Sequence, residues 1–139
     1  MTDQLDELHA QAALSILANS PPLIVFAGEV PAPYPGPRYV LVYTQVSWPD
    51  TGDANALDHL SVTCVVRWYC HCVGETEAAA RAVGMQVRAA LLNVRGTVAG
   101  RNCGLIRQVD SSPPGKDETL GTPAVFDAVS VYEMTSAPG

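Results

Sequence analysis

The sequence predicts an α+β fold: a mostly antiparallel sheet of about five strands with two helices packed on it. Three observations carry this expectation. Leu60–Val73 is rich in Val, Thr, Cys, Trp and Tyr and holds no Pro or Gly, the composition of a pleated strand. Gly74 breaks that run, and the apolar period then changes from two to about 3.6, as an amphipathic helix requires. The elements follow the order helix, strand, strand, strand, helix, strand, strand, which suits one sheet in one domain spanning residues 1–139.

Residues 2–18 read as the first helix. Leu5, Leu8, Ala12 and Ile16 form an apolar stripe widened by Leu14 and Leu17, and Thr2 or Asp3 suits the N-cap. Asn19-Ser20-Pro21-Pro22 ends it, because proline cannot continue a helix. Leu23–Phe26 is a short apolar strand. Val30–Pro37 carries four prolines in eight residues and reads as an extended loop around Tyr34. Residues 38–73 form a long hairpin. Its first strand is Arg38–Ser47, and its tip begins at the turn-rich Trp48–Asp53 and holds Asp50, Asp53 and Asp58. The second strand, Leu60–Val73, would be about 46 Å long at 3.3 Å per residue, beyond the common range. It is therefore expected either to contain a bulge or to end as a projecting arm that needs a partner.

Residues 76–92 read as the central helix. Thr76 suits the N-cap, with Glu75 and Glu77 beside the positive end of the helix dipole. Ala80, Val83, Gly84, Val87 and Leu91 share one face, and Arg81 and Arg88 lie on its flank. Asn93–Asn102 is a connection containing Gly96 and Gly100. Residues 103–110 and 123–134 are the last two strands, joined by a polar loop, Ser111–Thr122, and followed by a short tail. On the last strand, Phe126, Ala128, Tyr132 and Met134 are expected on one face and Asp127, Val129, Val131 and Glu133 on the other.

The balance of eight Lys+Arg against fourteen Asp+Glu, net charge −6, argues against non-specific nucleic-acid binding, which needs dense positive charge. Seven of the eight basic residues are Arg, the type suited to bidentate pairs across interfaces. The acidic N-terminus is unlike a secretory signal, and no apolar run is long enough to cross a membrane. The expectation is a protein folded in a cytoplasm with its four cysteines reduced.

Cys70-His71-Cys72 is the one triplet with metal-ligand chemistry, and Cys64 and Cys103 are its possible companions. A zinc site needs about four converging ligands, whereas strand alternation points Cys70 and Cys72 one way and His71 the other. Cys64, Val66, Trp68, Cys70 and Cys72 then read as a core face, and Thr63, Val65, Arg67, Tyr69 and His71 as a more polar one. No metal, cofactor or catalytic residue is assigned. The three histidines, His9, His59 and His71, have no nucleophile paired with them in sequence, and no GxSxG elbow occurs. Asp117 and Glu118 are read as a solvated loop pair. Arg81, Arg88, Arg95 and Arg101 read either as a solvated face, with Arg81 paired to Glu77 at i, i+4, or as a row meeting acidic loops of a neighbouring subunit.

The runs Arg67-Trp68-Tyr69-Cys70-His71-Cys72-Val73-Gly74, Ala78–Val83, Val87–Leu92, Val98–Cys103, Ile106-Arg107, Pro113–Glu118 and Val129–Glu133 together resemble tail terminator proteins of long-tailed phages of actinobacteria. Asp6-Glu7-Leu8 and Val40–Tyr43 fit the same pattern, and Lys116 departs from it where Arg is expected. The resemblance implies a non-enzymatic virion protein without cofactor, assembled in the host cytoplasm. Such proteins form a ring, usually a hexamer, on the finished tail tube. The ring stops growth of the tube protein, docks to the head connector and lets DNA pass through its lumen. The candidate contact residues are Tyr34, Trp48, Asp50, Asp53, Asp58, Arg67, Arg81, Arg88, Lys116, Asp117 and Glu118. Other readings are a head–tail connector or neck protein, a small enzyme using Cys72 or His71, and a ligand-binding domain with an apolar pocket.

Overall fold

The computed structural model describes residues 2–21, 23–30, 36–48, 62–117 and 125–139. The elements are α1 (Thr2–Ala18), β1 (Val25–Ala27), β2 (Tyr39–Ser47), β3 (Cys64–Gly74), α2 (Glu77–Leu91), β4 (Arg101–Cys103), β5 (Arg107–Ser111), β6 (Gly115–Asp117) and β7 (Val125–Pro138). The fold is α+β. The strands lie in the order β1-β2-β3-β7, and β4, β5 and β6 follow one another along the far edge of β7. Seven strands thus fill five positions in the sheet. Among the described strands only β1, which pairs with β2, is parallel. The hairpin pairs from Tyr39↔Val73 to Ser47↔Val65, and β3 is paired along its whole length by β7. Within the described residues β3 therefore carries no projecting arm, and the hairpin tip lies outside them.

Several boundaries differ from the sequence expectation, each for a local reason. The strand expected over 103–110 is interrupted between Cys103 and Arg107, where Ile106 is buried and hydrogen-bonds Val94 and Asn93 at the end of α2. The loop expected over Ser111–Thr122 contains β6, which pairs with the start of β7. The strand expected over 123–134 runs on to Pro138 because its last residues pair with β4, replacing the expected tail. The strand expected at Leu23–Phe26 is Val25–Ala27; Ile24 instead gives its carbonyl to Val40 N at 2.8 Å.

Both helices contribute to one core on one face of the sheet. Ala12, Ala13 and Leu17 of α1 and Val83, Val87 and Leu91 of α2 share it with Val40, Val42, Val66, Trp68, Tyr132 and Met134. Cys64, Val66, Trp68, Cys70 and Cys72 all point into it, and Trp68 is fully buried. Truncating an aromatic at such a site costs about 3–5 kcal/mol. The β7 core face is Ala128, Ser130, Tyr132, Met134 and Ser136, with Phe126 only half-buried. A smaller apolar cluster, Tyr39, Leu41, Val73 and Val125, lies across the sheet.

The turn into α2 needs Gly74, since a Cβ there would sit 2.5 Å from Ala80 N. Thr76 Oγ1 accepts from Ala79 N at 3.0 Å and caps the helix. Asn93, with φ +63°, turns the chain out of it. The buried stripe of α1 is rotated from the expected one. Leu5, His9, Ala12, Ala13 and Leu17 face inward, while Leu8 is 39% exposed and Ile16 is half-buried. The reason is polar, because His9 has partners on the sheet.

Candidate functional site

Strand alternation dismantles the Cys-His-Cys triplet. Cys70 and Cys72 are fully buried; burial pushes Cys72 up to about 12 and raises Cys70 as well, so both are protonated thiols packed as small apolar groups. His71 emerges on the opposite face, where its Nδ1 donates to Asp127 Oδ2 at 2.9 Å and its imidazole meets Tyr43 edge-on at 5.4 Å. Among the described residues no three His, Cys, Asp or Glu side chains converge to hold a metal ion.

A polar knot is buried where the hairpin tip leaves the sheet. His9 Nδ1 is 2.8 Å from Leu5 O, and its Nε2 is 2.8 Å from Ser136 Oγ and 3.6 Å from Cys64 Sγ. A carbonyl only accepts, so Nδ1 carries the proton and neutral Nε2 accepts from Ser136. Ser136 Oγ in turn accepts from Arg101 Nε at 2.9 Å. Arg101 Nη2 donates to Ser136 O and to Val62 O, each at 2.7 Å, and the guanidinium lies 5.4 Å from the Trp48 ring centroid. Trp48 Nε1 donates to Asp6 Oδ1 at 2.8 Å. The direction of every bond in this chain is set by its neighbours. Desolvation lowers the His9 pKa, with Arg101 adding to the effect against opposing contributions from Leu5 O and Asp6. Desolvation likewise raises Cys64, leaving it a neutral thiol. The knot therefore joins α1, β3, β4 and β7 through a neutral imidazole, a hydroxyl and a neutral thiol held by Arg101.

The outward face of α2 is the contrasting surface. Arg81, Met85 and Arg88 follow one another at i, i+4 and i+7, so they line one side of the helix. Arg81 pairs with Glu77 at i, i+4. Arg88 is the one arginine among the described residues whose side chain has no ion pair or hydrogen bond. Met85, between the two, is 72% exposed. The three border a groove of about 570 Å³ whose other wall is Gln108, Ser111–Pro114, Ala128 and Ser130.

The remaining sequence candidates do not converge on one site. Arg67 lies on the helix-free face and pairs with Glu133 at 2.9 Å, and Arg107 approaches the same carboxylate at 3.9 Å. Trp48 is half-buried in the knot. Lys116 is exposed on β6. Arg95 leaves the expected arginine row to donate to Cys103 O at 2.6 Å, and Arg101 leaves it for the knot. Tyr34, Asp50, Asp53, Asp58, Glu118 and the Asp117 side chain lie outside what is described. The sequence reading missed His9, Ser136 and Arg101 as one group. Its available signal was His9 at i+4 from Leu5 and i−8 from Leu17 on α1.

No protein-family model matches the chain, and no curated protein matches it in sequence. The fold has a solved counterpart. A chain from the virion of a native gene transfer agent particle superposes with a TM-score of 0.55 at 11% identity, over 94% of this chain and 92% of that one. The likeness thus covers both helices and the sheet together.

Proposed function

We propose that the protein is a structural component of a phage-like virion, and within it a tail terminator. Copies assemble as a ring, expected to be a hexamer, on the end of the tail tube. The ring stops addition of tube protein, presents a surface to the head connector and leaves a lumen for DNA. It works by shape and charge complementarity, without cofactor or chemical step. The observation that carries this reading is the near full-length likeness to a chain of a gene transfer agent virion. The motif resemblance spread along the sequence supports the finer assignment.

The test is electron microscopy of the purified full chain, alone and with assembling tube protein. Rings seated on tube ends, with tube length limited in proportion to added protein, are expected. A protein that stays monomeric and leaves tube growth unchanged overturns the assignment. Rings that bind only the head connector reassign it to the neck.

A further inference from the structure

We propose that Met85 of α2, with Arg88 one turn away, inserts into the acid-rimmed depression between α1 and β2 of a second copy of this chain, forming a head-to-tail joint. The inference rests on the ring reading above and names the surfaces that would build the ring.

The inserting surface is an apolar knob beside an unpaired positive charge. Met85 is 72% exposed, more than any other large apolar side chain described. Among the described residues Arg88 has no carboxylate partner, while Arg38, Arg67, Arg81 and Arg107 each face one of their own chain. The receiving surface has the opposite character. Asp6, Glu7 and Ala10 of α1 and Thr44 and Val46 of β2 border a depression of about 310 Å³. That is the share of about ten waters, so it has room for a methionine side chain, which adapts to irregular gaps. The two carboxylates on its rim meet no cation among the described residues. Asp6 accepts from Trp48 Nε1 and Glu7 from Gln11 Nε2. Glu75, Glu77 and Glu133, by contrast, each face an arginine of their own subunit. An unpaired arginine beside an exposed methionine thus matches an unpaired acid pair around a hollow.

Geometry directs the contact to a neighbour. Met85 and Arg88 share a groove with Gln108 and Ser111 of β5, whereas the depression opens beside β2. β3 and β7 lie between those two strands, so three strand spacings, about 14 Å, separate the surfaces. Both belong to fixed elements on opposite flanks of the sheet, and one subunit cannot bring them together. They also lie on the same rung. Gln108 pairs with Tyr132, Tyr132 with Trp68, and Trp68 with Thr44. A copy turned about an axis along the strands therefore presents its depression to Met85 with little rise. That is the condition for a heterologous joint to close into a ring instead of climbing as a filament. Strand addition is disfavoured at this flank. The register of β5 shifts between Gln108 and Asp110, and Ile106 N just before it already donates to Val94 O. A bulge and a covered neighbour blunt the edge, which leaves the joint to side chains.

Sedimentation velocity on the full chain tests this with wild type, R88E, E7R, the double variant E7R/R88E and M85A. The wild type is expected to assemble. Each single reversal is expected to weaken assembly about 100-fold, because it sets like charges against each other at every joint. The double variant restores opposite charges and is expected to recover to within about tenfold of wild type. An equimolar mixture of R88E and E7R is expected to recover too, since alternating copies place opposite charges at each joint. M85A, a mild surface change, is expected to weaken assembly about tenfold, so the inference is tested even if a reversal misfolds. Wild-type rings unaffected by R88E and E7R, or by M85A, overturn this joint and leave the ring reading standing. Reversals that dissociate the ring without recovery in the double variant or the mixture also overturn it. A wild type that never assembles overturns both.

Discussion

Arg101 and Arg88 are the same residue type in opposite circumstances. At the root of segment 49–61, Arg101 donates to Ser136 Oγ, Ser136 O and Val62 O and lies against Trp48. On the outer face of α2, Arg88 has no ion pair or hydrogen bond among the described residues and borders the same groove as an exposed Met85. The difference lies in what surrounds each guanidinium. Arg101 satisfies backbone carbonyls that strand ends would otherwise leave unpaired, so its role is in the fold. Among the described residues Arg88 satisfies no acceptor, so its removal is expected to cost the described fold little. An arginine count cannot distinguish the two, and substitution can.

The largest effect is expected at Arg101. Arg101→Ala removes the donors to two partly buried carbonyl bonds, at Val62 O and Ser136 O, and to Ser136 Oγ, and should destabilise the protein by about 3 kcal/mol in urea unfolding, since bonds from charged donors are worth roughly 1.5–3 kcal/mol each and are not additive. A loss below about 1 kcal/mol would mean that water replaces the guanidinium and that the knot is peripheral to the fold.

His9 comes next and adds a pH signature. His9→Leu should cost about 2 kcal/mol at pH 7.5 by leaving Ser136 without its acceptor. The sign of the pH dependence follows from the lowered folded-state pKa. Below the unperturbed value of about 6.5 the unfolded chain takes up a proton that the folded chain resists. The stability of neutral His9 is therefore complete above that pH and declines as pH falls through the folded-state value. Melting temperatures from pH 7.5 to 5 should drop more steeply in the wild type than in His9→Leu. Parallel profiles would show that His9 titrates freely in the fold.

Trp48→Phe sharpens the comparison at a smaller scale. It keeps an aromatic ring near Arg101 and removes the Nε1 bond to Asp6, so a loss of about 1 kcal/mol is expected by thermal unfolding. The same change tests whether Trp48, a contact candidate from the sequence, belongs to the knot. If assembly is lost while stability is unchanged, Trp48 belongs to an interface.

How much of this was legible in the sequence depended on whether local pattern or distant partners decided each feature. The alternation on β3 was legible because side chains on a strand must alternate, so the separation of Cys70 and Cys72 from His71 followed without knowledge of neighbours. The start of α2 was legible from Gly74 and Thr76, and the Arg81–Glu77 pair from i, i+4 spacing. The rotation of α1 was not, because hydropathy ranks Leu8 above His9. His9 is buried for the sake of Ser136, which lies 127 positions away. The interruption before Arg107 was hidden for the same reason, since Ile106 is drawn to Val94 and Asn93 and not along β7. Arg101 looked like a continuation of the Arg81–Arg88–Arg95 row because nothing local marks it for Val62 and Ser136.

The smallest expected effect completes the contrast. Arg88→Ala should change subunit stability by less than about 0.5 kcal/mol, since it removes an exposed side chain that has no ion pair or hydrogen bond among the described residues. A loss as large as that expected for Arg101→Ala would show that the two arginines serve the fold alike, and the distinction between a structural root and a free surface would collapse. The measurement is informative because the residues are matched. The same truncation, in the same urea titration, removes a guanidinium that donates to Ser136 Oγ, Ser136 O and Val62 O in one case and one without an acceptor among the described residues in the other. The difference between the two losses then reports what the fold draws from arginine, with the side chain's intrinsic preferences largely cancelled.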